Sequence, residues 1–318
     1  MATDELARAA ALLANGGLVG FPTETVYGLG ADATDPVAVR RIFAAKGRPV
    51  GHPLIVHIAA IDDLVVWAAE PSEAAIRLAA AFWPGPLTLV VGRGTGIADE
   101  VTGGRPTVGL RMPDHPLALA LLRSAGVPVA APSANRFGRV SPTTAADVRA
   151  DLGDLVDLVL DGGPCEVGLE STIVELTSGT PTLLRAGGVP VEAIEAVLGG
   201  PVERVATGPA RASGMLASHY APAASVEIVA ASDLAERAAQ LQRAGRRVGV
   251  VCLGRPPRGA VVLARPADNA SYARNLYRSL RAADGEACDV VLVEHPHLDG
   301  LGAAILDRLT KAAAPRPT

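Results

Sequence analysis

Gly17-Leu18-Val19-Gly20-Phe21-Pro22-Thr23-Glu24-Thr25-Val26-Tyr27-Gly28-Leu29-Gly30 is the stretch on which the fold class turns. Gly17–Phe21 is an apolar run of strand length closed by a proline. The residues after it form a turn carrying two hydroxyls, a carboxylate and a phenol, and lead toward a helix expected near Pro36–Ala45. A second apolar strand follows at Pro53–Ile58. Strand, turn, helix, strand is the opening of an α/β sheet, and loops at strand ends in such sheets are common ligand sites. Spacing alone leaves a second reading of the turn open, in which the threonines merely cap local backbone groups.

The same alternation continues outward. Strands are expected at Leu87–Gly92, Thr107–Arg111, Val127–Ala131, Leu155–Leu160, Ser171–Leu176 and Thr182–Arg185, with helices near Ser72–Phe82, Pro116–Ser124, Thr143–Leu152 and Val191–Leu198. Several strands follow one another with no helix between them, so the sheet is expected to be mixed. From Gly199 to Ala224 the chain is rich in glycine and proline and has no sustained period, as in a linker. Beyond it, strands at Val226–Val229, Val248–Leu253, Ala260–Leu263 and Val290–Val293 alternate with helices at Leu234–Ala244, Ser271–Ala282 and Ala303–Ala312. The division expected is a first domain over residues 1–200, a linker over 201–224 and a small Rossmann-like α/β domain over 225–318. That tail lacks a Gly-x-Gly-x-x-Gly fingerprint, which argues against a dinucleotide site.

Composition narrows the function classes. At 318 residues, 49% hydrophobic and 19% charged, the chain is too apolar to be disordered and too long for a single core to be the first expectation. No apolar run approaches the about 18 residues of a membrane span, and the N-terminus has no basic segment leading into an apolar one, so a cytoplasmic protein is expected. Cys165, Cys252 and Cys288 are too few and too dispersed for a disulfide framework. Residues 1–200 carry 14 Lys or Arg against 22 Asp or Glu, a net −8, while residues 201–318 carry 15 against 11, a net +4. The acidic first part counts against an RNA-binding module, which is the alternative reading from another class.

Of the 29 cationic side chains, 27 are arginine; Lys46 and Lys311 are the two lysines. A lysine kept where arginine is otherwise used throughout points to a compact, rotatable charge, as at phosphate oxygens. The competing reading of Lys46-Gly47-Arg48-Pro49 is a helix C-terminus stopped by glycine, with cations complementing its dipole. His57 lies in the strand Pro53–Ile58, on one face with Ile55, and no metal-ligand partner stands at a diagnostic spacing from it. The segment Pro132–Pro142 supplies serine, asparagine and arginine in a loop, as a phosphate site or as a solvated connection. Arg111 and Arg185 each end an apolar strand, where a guanidinium must either pair with a carboxylate or bind an anion. No nucleophile elbow or spaced carboxylate pair stands out. Hydroxyls, cations and one histidine suit a nucleotide-dependent ligase or transferase.

The stretches Phe21–Gly30, Lys46–Pro49, Pro53–Ile58, Trp83-Pro84-Gly85-Pro86-Leu87-Thr88, Thr107–Pro113, Pro132–Pro142 and Gly168–Val174 together resemble the YrdC-like threonylcarbamoyl-AMP synthases. The resemblance covers residues 8 to 200, and Ser213–Pro222 resembles the linker of the longer, two-domain members. It implies a twisted mixed sheet with flanking helices. It further implies that L-threonine, bicarbonate or CO2, and ATP with Mg²⁺ yield threonylcarbamoyl-AMP and pyrophosphate. The product would be passed to the tRNA threonylcarbamoyl-transferase machinery, with no need for the chain to bind tRNA directly. Carried over by position, Thr25, His57, Arg111, Ala131 and Ser171 would surround threonine, with Arg111 on its carboxylate. Lys46, Arg48, His52, Thr107, Ser133, Asn135, Ser141 and Arg185 would contact ATP, Lys46 and Arg48 stabilising charge on its phosphates, and His219 and Tyr220 would close over it. No protein metal ligand is implied. Two departures stand out: Val50-Gly51-His52 replaces the family's Ser-x-Asn, and Ala217-Ser218 replaces a Tyr-Arg pair. A carbamoyl-transfer role in hydrogenase maturation would need acylphosphatase and zinc-finger segments that this sequence lacks.

Overall fold

The computed structural model describes residues 2–204 and 220–315. The chain divides into two units. The first comprises residues 1–137, 142–166 and 170–215, and the second comprises 138–141, 167–169 and 216–318.

The first unit is built on ten strands: β1 (Val19–Phe21), β2 (Gly28–Asp32), β3 (Ile55–His57), β4 (Leu87–Gly92), β5 (Thr107–Arg111), β6 (Val129–Ala130), β7 (Leu158–Val159), β8 (Thr172–Glu175), β9 (Thr182–Arg185) and β10 (Glu203–Arg204). They form one mixed sheet in the order β10-β9-β8-β4-β5-β3-β6-β2-β1-β7. The main core packs helices against this sheet through Leu29, Val39, Ile42, Val56, Leu78 and Leu89, all fully buried. Two helix boundaries show their local cause. Helix Pro36–Lys46 starts with proline in its first turn after Asp35, whose carboxylate accepts from Val37 N, and stops at Gly47, which takes the left-handed φ of 61°. Helix Ala145–Leu152 begins in a Thr144–Asp147 capping box.

Several elements depart from the expectation, β2 foremost. Gly28-Leu29-Gly30-Ala31-Asp32 is not the end of a turn but the strand β2, antiparallel to β1 with Phe21 opposite Gly28. Glycine and aspartate disfavour strands, so propensity hid it. Packing overrides propensity here, since a β-carbon at Gly30 would lie 2.8 Å from Val129 Cγ1 and 2.9 Å from Phe21 Cε1. The helix Ala2–Ala14 and the short helices Asp63–Trp67 and Asp99–Thr102 were also not expected.

The second unit holds a four-stranded, all-parallel sheet of β11 (Ser225–Val229), β12 (Val248–Val251), β13 (Val261–Ala264) and β14 (Val290–Glu294), in the order β11-β14-β12-β13. Helices Leu234–Arg243, Asn269–Gly285 and Gly302–Ala313 accompany it. The Rossmann-like α/β expectation matches this arrangement. Among the described residues, no helix is long and apolar enough to cross a membrane.

Candidate functional site

Strand register brings the first group of expected residues to one level of the sheet. Parallel pairing of β3 with β5 sets His57 beside Arg111. In the antiparallel β4–β5 pair, Leu89 opposes Leu110, which carries Thr88 to the level of Arg111. The Thr88 hydroxyl is 2.7 Å from that of Ser171, the residue preceding β8. Ala131, just after β6, donates its N–H to Ile55 O at 2.8 Å. Thr25 reaches the row from the β1–β2 connection, where its hydroxyl accepts from Arg111 Nη2 at 2.9 Å. All five residues expected around threonine are buried.

Arg111 is 4% exposed and Glu24 5%, and their ion pair closes at 2.7 Å. The strand-end arginine therefore pairs with a carboxylate of the protein. Only part of the guanidinium is used: Nη2 donates to Glu24 and Thr25, and Nε donates to Gly85 O at 3.3 Å. Nη1 makes no hydrogen bond among the described residues. Proton direction is equally constrained at Thr25. The Thr23 hydroxyl donates to Val26 O at 2.6 Å, so in the 2.8 Å Thr23–Thr25 contact it is Thr25 that donates. Thr25 Oγ1 therefore meets a ligand as an acceptor.

His57 is 3% exposed and its Nδ1 is buried without a hydrogen-bond partner. Burial, reinforced by the neighbouring Arg111 charge, pushes its pKa down to about 3, so the imidazole is neutral at physiological pH. The unfolded chain, with histidine near 6.5, binds more protons between these two values. The contribution of His57 to stability is thus complete above pH 6.5 and is lost as pH falls toward 3. In urea titrations, the wild-type protein is expected to lose about 2 kcal/mol more than a His57→Asn variant between pH 6.5 and pH 5.

The second group gathers around Pro132–Phe137. Lys46, 2% exposed, donates from Nζ to the carbonyls of Ser133 and Asn135, each at 2.5 Å, while its own carbonyl accepts from Phe137 N at 2.8 Å. This explains the retention of lysine: an ammonium can direct two hydrogens at two converging carbonyls and keep a third, whereas a planar guanidinium cannot occupy that space. Burial and the Arg48 charge push the Lys46 pKa well below its ordinary value. Arg48 donates to Pro53 O at 3.2 Å, and its guanidinium carbon lies 5.8 Å from the Phe137 ring centre. His52 meets the same ring edge-on at 5.9 Å, and burial together with Arg48 and Arg105 lowers its pKa. Thr107 starts β5, about 13 Å along the strand from Arg111, and lines an apolar pocket with Pro53, Thr88, Thr102 and Gly109.

Arg185 holds Ser171, donating to its carbonyl from Nε (3.0 Å) and Nη2 (2.8 Å) and to its hydroxyl from Nη2 (3.1 Å). Gly187 backs this arrangement. A β-carbon there would lie 2.4 Å from Glu170 O, Ser171 C and Thr172 N, which are main-chain atoms with no room to yield. Gly187→Ala is expected to cost about 1–3 kcal/mol through overpacking, read as a lowered melting temperature.

Of the remaining expected contacts, two belong to the second unit and one falls outside the described residues. Ser141 is buried in segment 138–141 of the second unit, where its carbonyl accepts from Arg281 Nε at 3.5 Å. Tyr220 also belongs to the second unit, its ring stacked on Tyr277 at 5.5 Å with Arg308 5.3 Å from its centre. His219 lies outside the described residues, as do Ala217 and Ser218. Sequence reading assigned no role to Glu24, Thr23 or Thr88. A carboxylate in a turn otherwise rich in hydroxyls was the available signal for Glu24. Among the described residues, no group of three His, Cys, Asp or Glu side chains could hold a metal ion.

Residues 11–187 match the Sua5/YciO/YrdC family model, described as telomere recombination, and residues 189–314 match the threonylcarbamoyl-AMP synthase C-terminal domain. The chain is 43% identical to the threonylcarbamoyl-AMP synthase of Pyrococcus abyssi, covering 97% of this chain and 94% of that one. It is 44% identical to the Bacillus subtilis enzyme of the same name, over 98% and 94%. The crystal structure of P. abyssi Sua5 complexed with L-threonine superposes with a TM-score of 0.92 at 42% identity, over 97% of this chain and 94% of that one. The chain belongs to the threonylcarbamoyl-AMP synthase family, enzymes that form an adduct of AMP.

Proposed function

We propose that this chain joins L-threonine, bicarbonate or CO2, and ATP into threonylcarbamoyl-AMP, with threonine seated at the Arg111 end of the row and ATP along the Lys46–Pro53 and Pro132–Phe137 segments. The observation that carries this reading is Arg111 Nη1, a buried cation's open donor set between Thr25, an obligate acceptor, and neutral His57. That combination suits an amino acid: Nη1 receives the carboxylate, Thr25 Oγ1 accepts from the amine or hydroxyl, and Ser171 and the Ala131 main chain enclose the remainder.

The threonine amine captures CO2 as a carbamate, whose oxygen attacks the α-phosphorus of ATP as pyrophosphate leaves. No enzyme nucleophile is needed, so the protein contributes proximity and charge. Arg48, the third Nζ hydrogen of Lys46, and the loop of Ser133 and Asn135 face the phosphates, with Arg185 bridging to the Ser171 side. Thr107 and His52 extend the nucleotide contact toward the apolar pocket. The donor set is cationic or neutral apart from Glu24, which is already paired, so it does not fit a resident metal. Mg²⁺ enters with ATP, as part of that substrate. The product is handed to the tRNA threonylcarbamoyl-transferase machinery in the cytoplasm. Purified protein is expected to release pyrophosphate from MgATP only when L-threonine and bicarbonate are both present. Threonine-independent release, or none at all, would overturn the assignment.

A further inference from the structure

Glu24 belongs to neither substrate group, yet it is 5% exposed and both of its oxygens are engaged. Oε1 accepts from Arg111 Nη2 at 2.7 Å and Oε2 from Asp114 N at 3.0 Å. The Asp114 contact ties the carboxylate to the main chain beyond β5, so its position is set by backbone. Through it Arg111 is fixed as well. Both Nη2 hydrogens go to Glu24 and Thr25 and the Nε hydrogen goes to Gly85, which leaves two hydrogens on Nη1 for a ligand. An untethered guanidinium offers five donors along three edges.

We propose that Glu24 is a positioning residue for the synthase reaction: it clamps Arg111 so that the substrate carboxylate meets Nη1 alone, and in this way sets affinity for the amino acid without touching it. The inference rests on the reading of Arg111 as the carboxylate receptor. The clamp also neutralises a guanidinium that would otherwise be buried without an anion before substrate arrives. Charge and position are separable. Glu24→Asp keeps the charge but withdraws the carboxylate by one methylene, and Glu24→Gln keeps an acceptor of the original reach but removes the charge.

The test is steady-state kinetics of the full-length protein, with L-threonine and MgATP varied separately. In Glu24→Asp the threonine KM is expected to rise about tenfold or more, with the MgATP KM within about twofold of wild type, since only the threonine subsite loses its orientation. Glu24→Gln, read the same way, carries the test if the aspartate variant does not fold. A threonine KM within twofold of wild type in both variants would overturn the proposal, as would a parallel rise of both KM values, which marks a general structural role. Arg111→Ala separates the two levels of the argument. If it leaves the threonine KM unchanged, the receptor reading fails. If it raises that KM while both Glu24 variants do not, the clamp alone fails.

Discussion

Arg111→Ala is expected to raise the L-threonine KM about a hundredfold, equivalent to about 2.7 kcal/mol of lost charge-assisted hydrogen bonding, and to destabilise the protein by about 3–5 kcal/mol. The two effects share one cause. Arg111 is the buried partner of Glu24, and its removal strands a carboxylate at 5% exposure. Breaking one side of a buried pair costs more than the pair contributes, because the remaining charge stays desolvated. The Glu24→Ala/Arg111→Ala double variant should therefore be more stable than Arg111→Ala alone, while binding threonine no better. Urea titrations of the three variants check the stability order, and threonine kinetics check the binding. If the double variant is less stable than Arg111→Ala, the pair is not the source of the cost.

Lys46→Arg, although charge-conserving, is expected to lower turnover at least tenfold, about 1.4 kcal/mol of transition-state stabilisation. Lys46 Nζ reaches two carbonyls, of Ser133 and Asn135, at 2.5 Å, and its main chain holds Phe137. A guanidinium would push the Ser133–Asn135 segment outward and misplace the phosphate contacts proposed for that loop. Turnover measured at saturating MgATP and threonine checks this. Unchanged kinetics would reduce Lys46 to a cation at a helix C-terminus.

These two residues also mark how far the sequence could be read. The scarcity of lysine singled out Lys46 before any coordinates, but its observed partners are main-chain carbonyls, which carry no signature in a sequence. Arg111 was narrowed to a carboxylate partner or an anion. The structure provides the first with Glu24, 87 residues away, and leaves Nη1 open for the second. The mixed sheet followed from strands that succeed one another without helices, as expected. β2 did not, because glycines at 28 and 30 answer to the Phe21 ring and Val129 rather than to strand propensity. The grouping of segments 138–141 and 167–169 with the second unit was equally illegible, since it depends on tertiary packing of short loops with no periodicity of their own.

Carbamate formation at the amine of threonine followed by transfer to AMP is the step proposed for this chain. Mass analysis of the nucleotide product formed from L-threonine, MgATP and ¹³C-bicarbonate tests it most directly. The predicted result is an AMP adduct of threonine whose mass rises by one ¹³C when the bicarbonate is labelled. A threonyl-AMP without a carbamoyl carbon, or an adduct whose mass ignores the label, would contradict it.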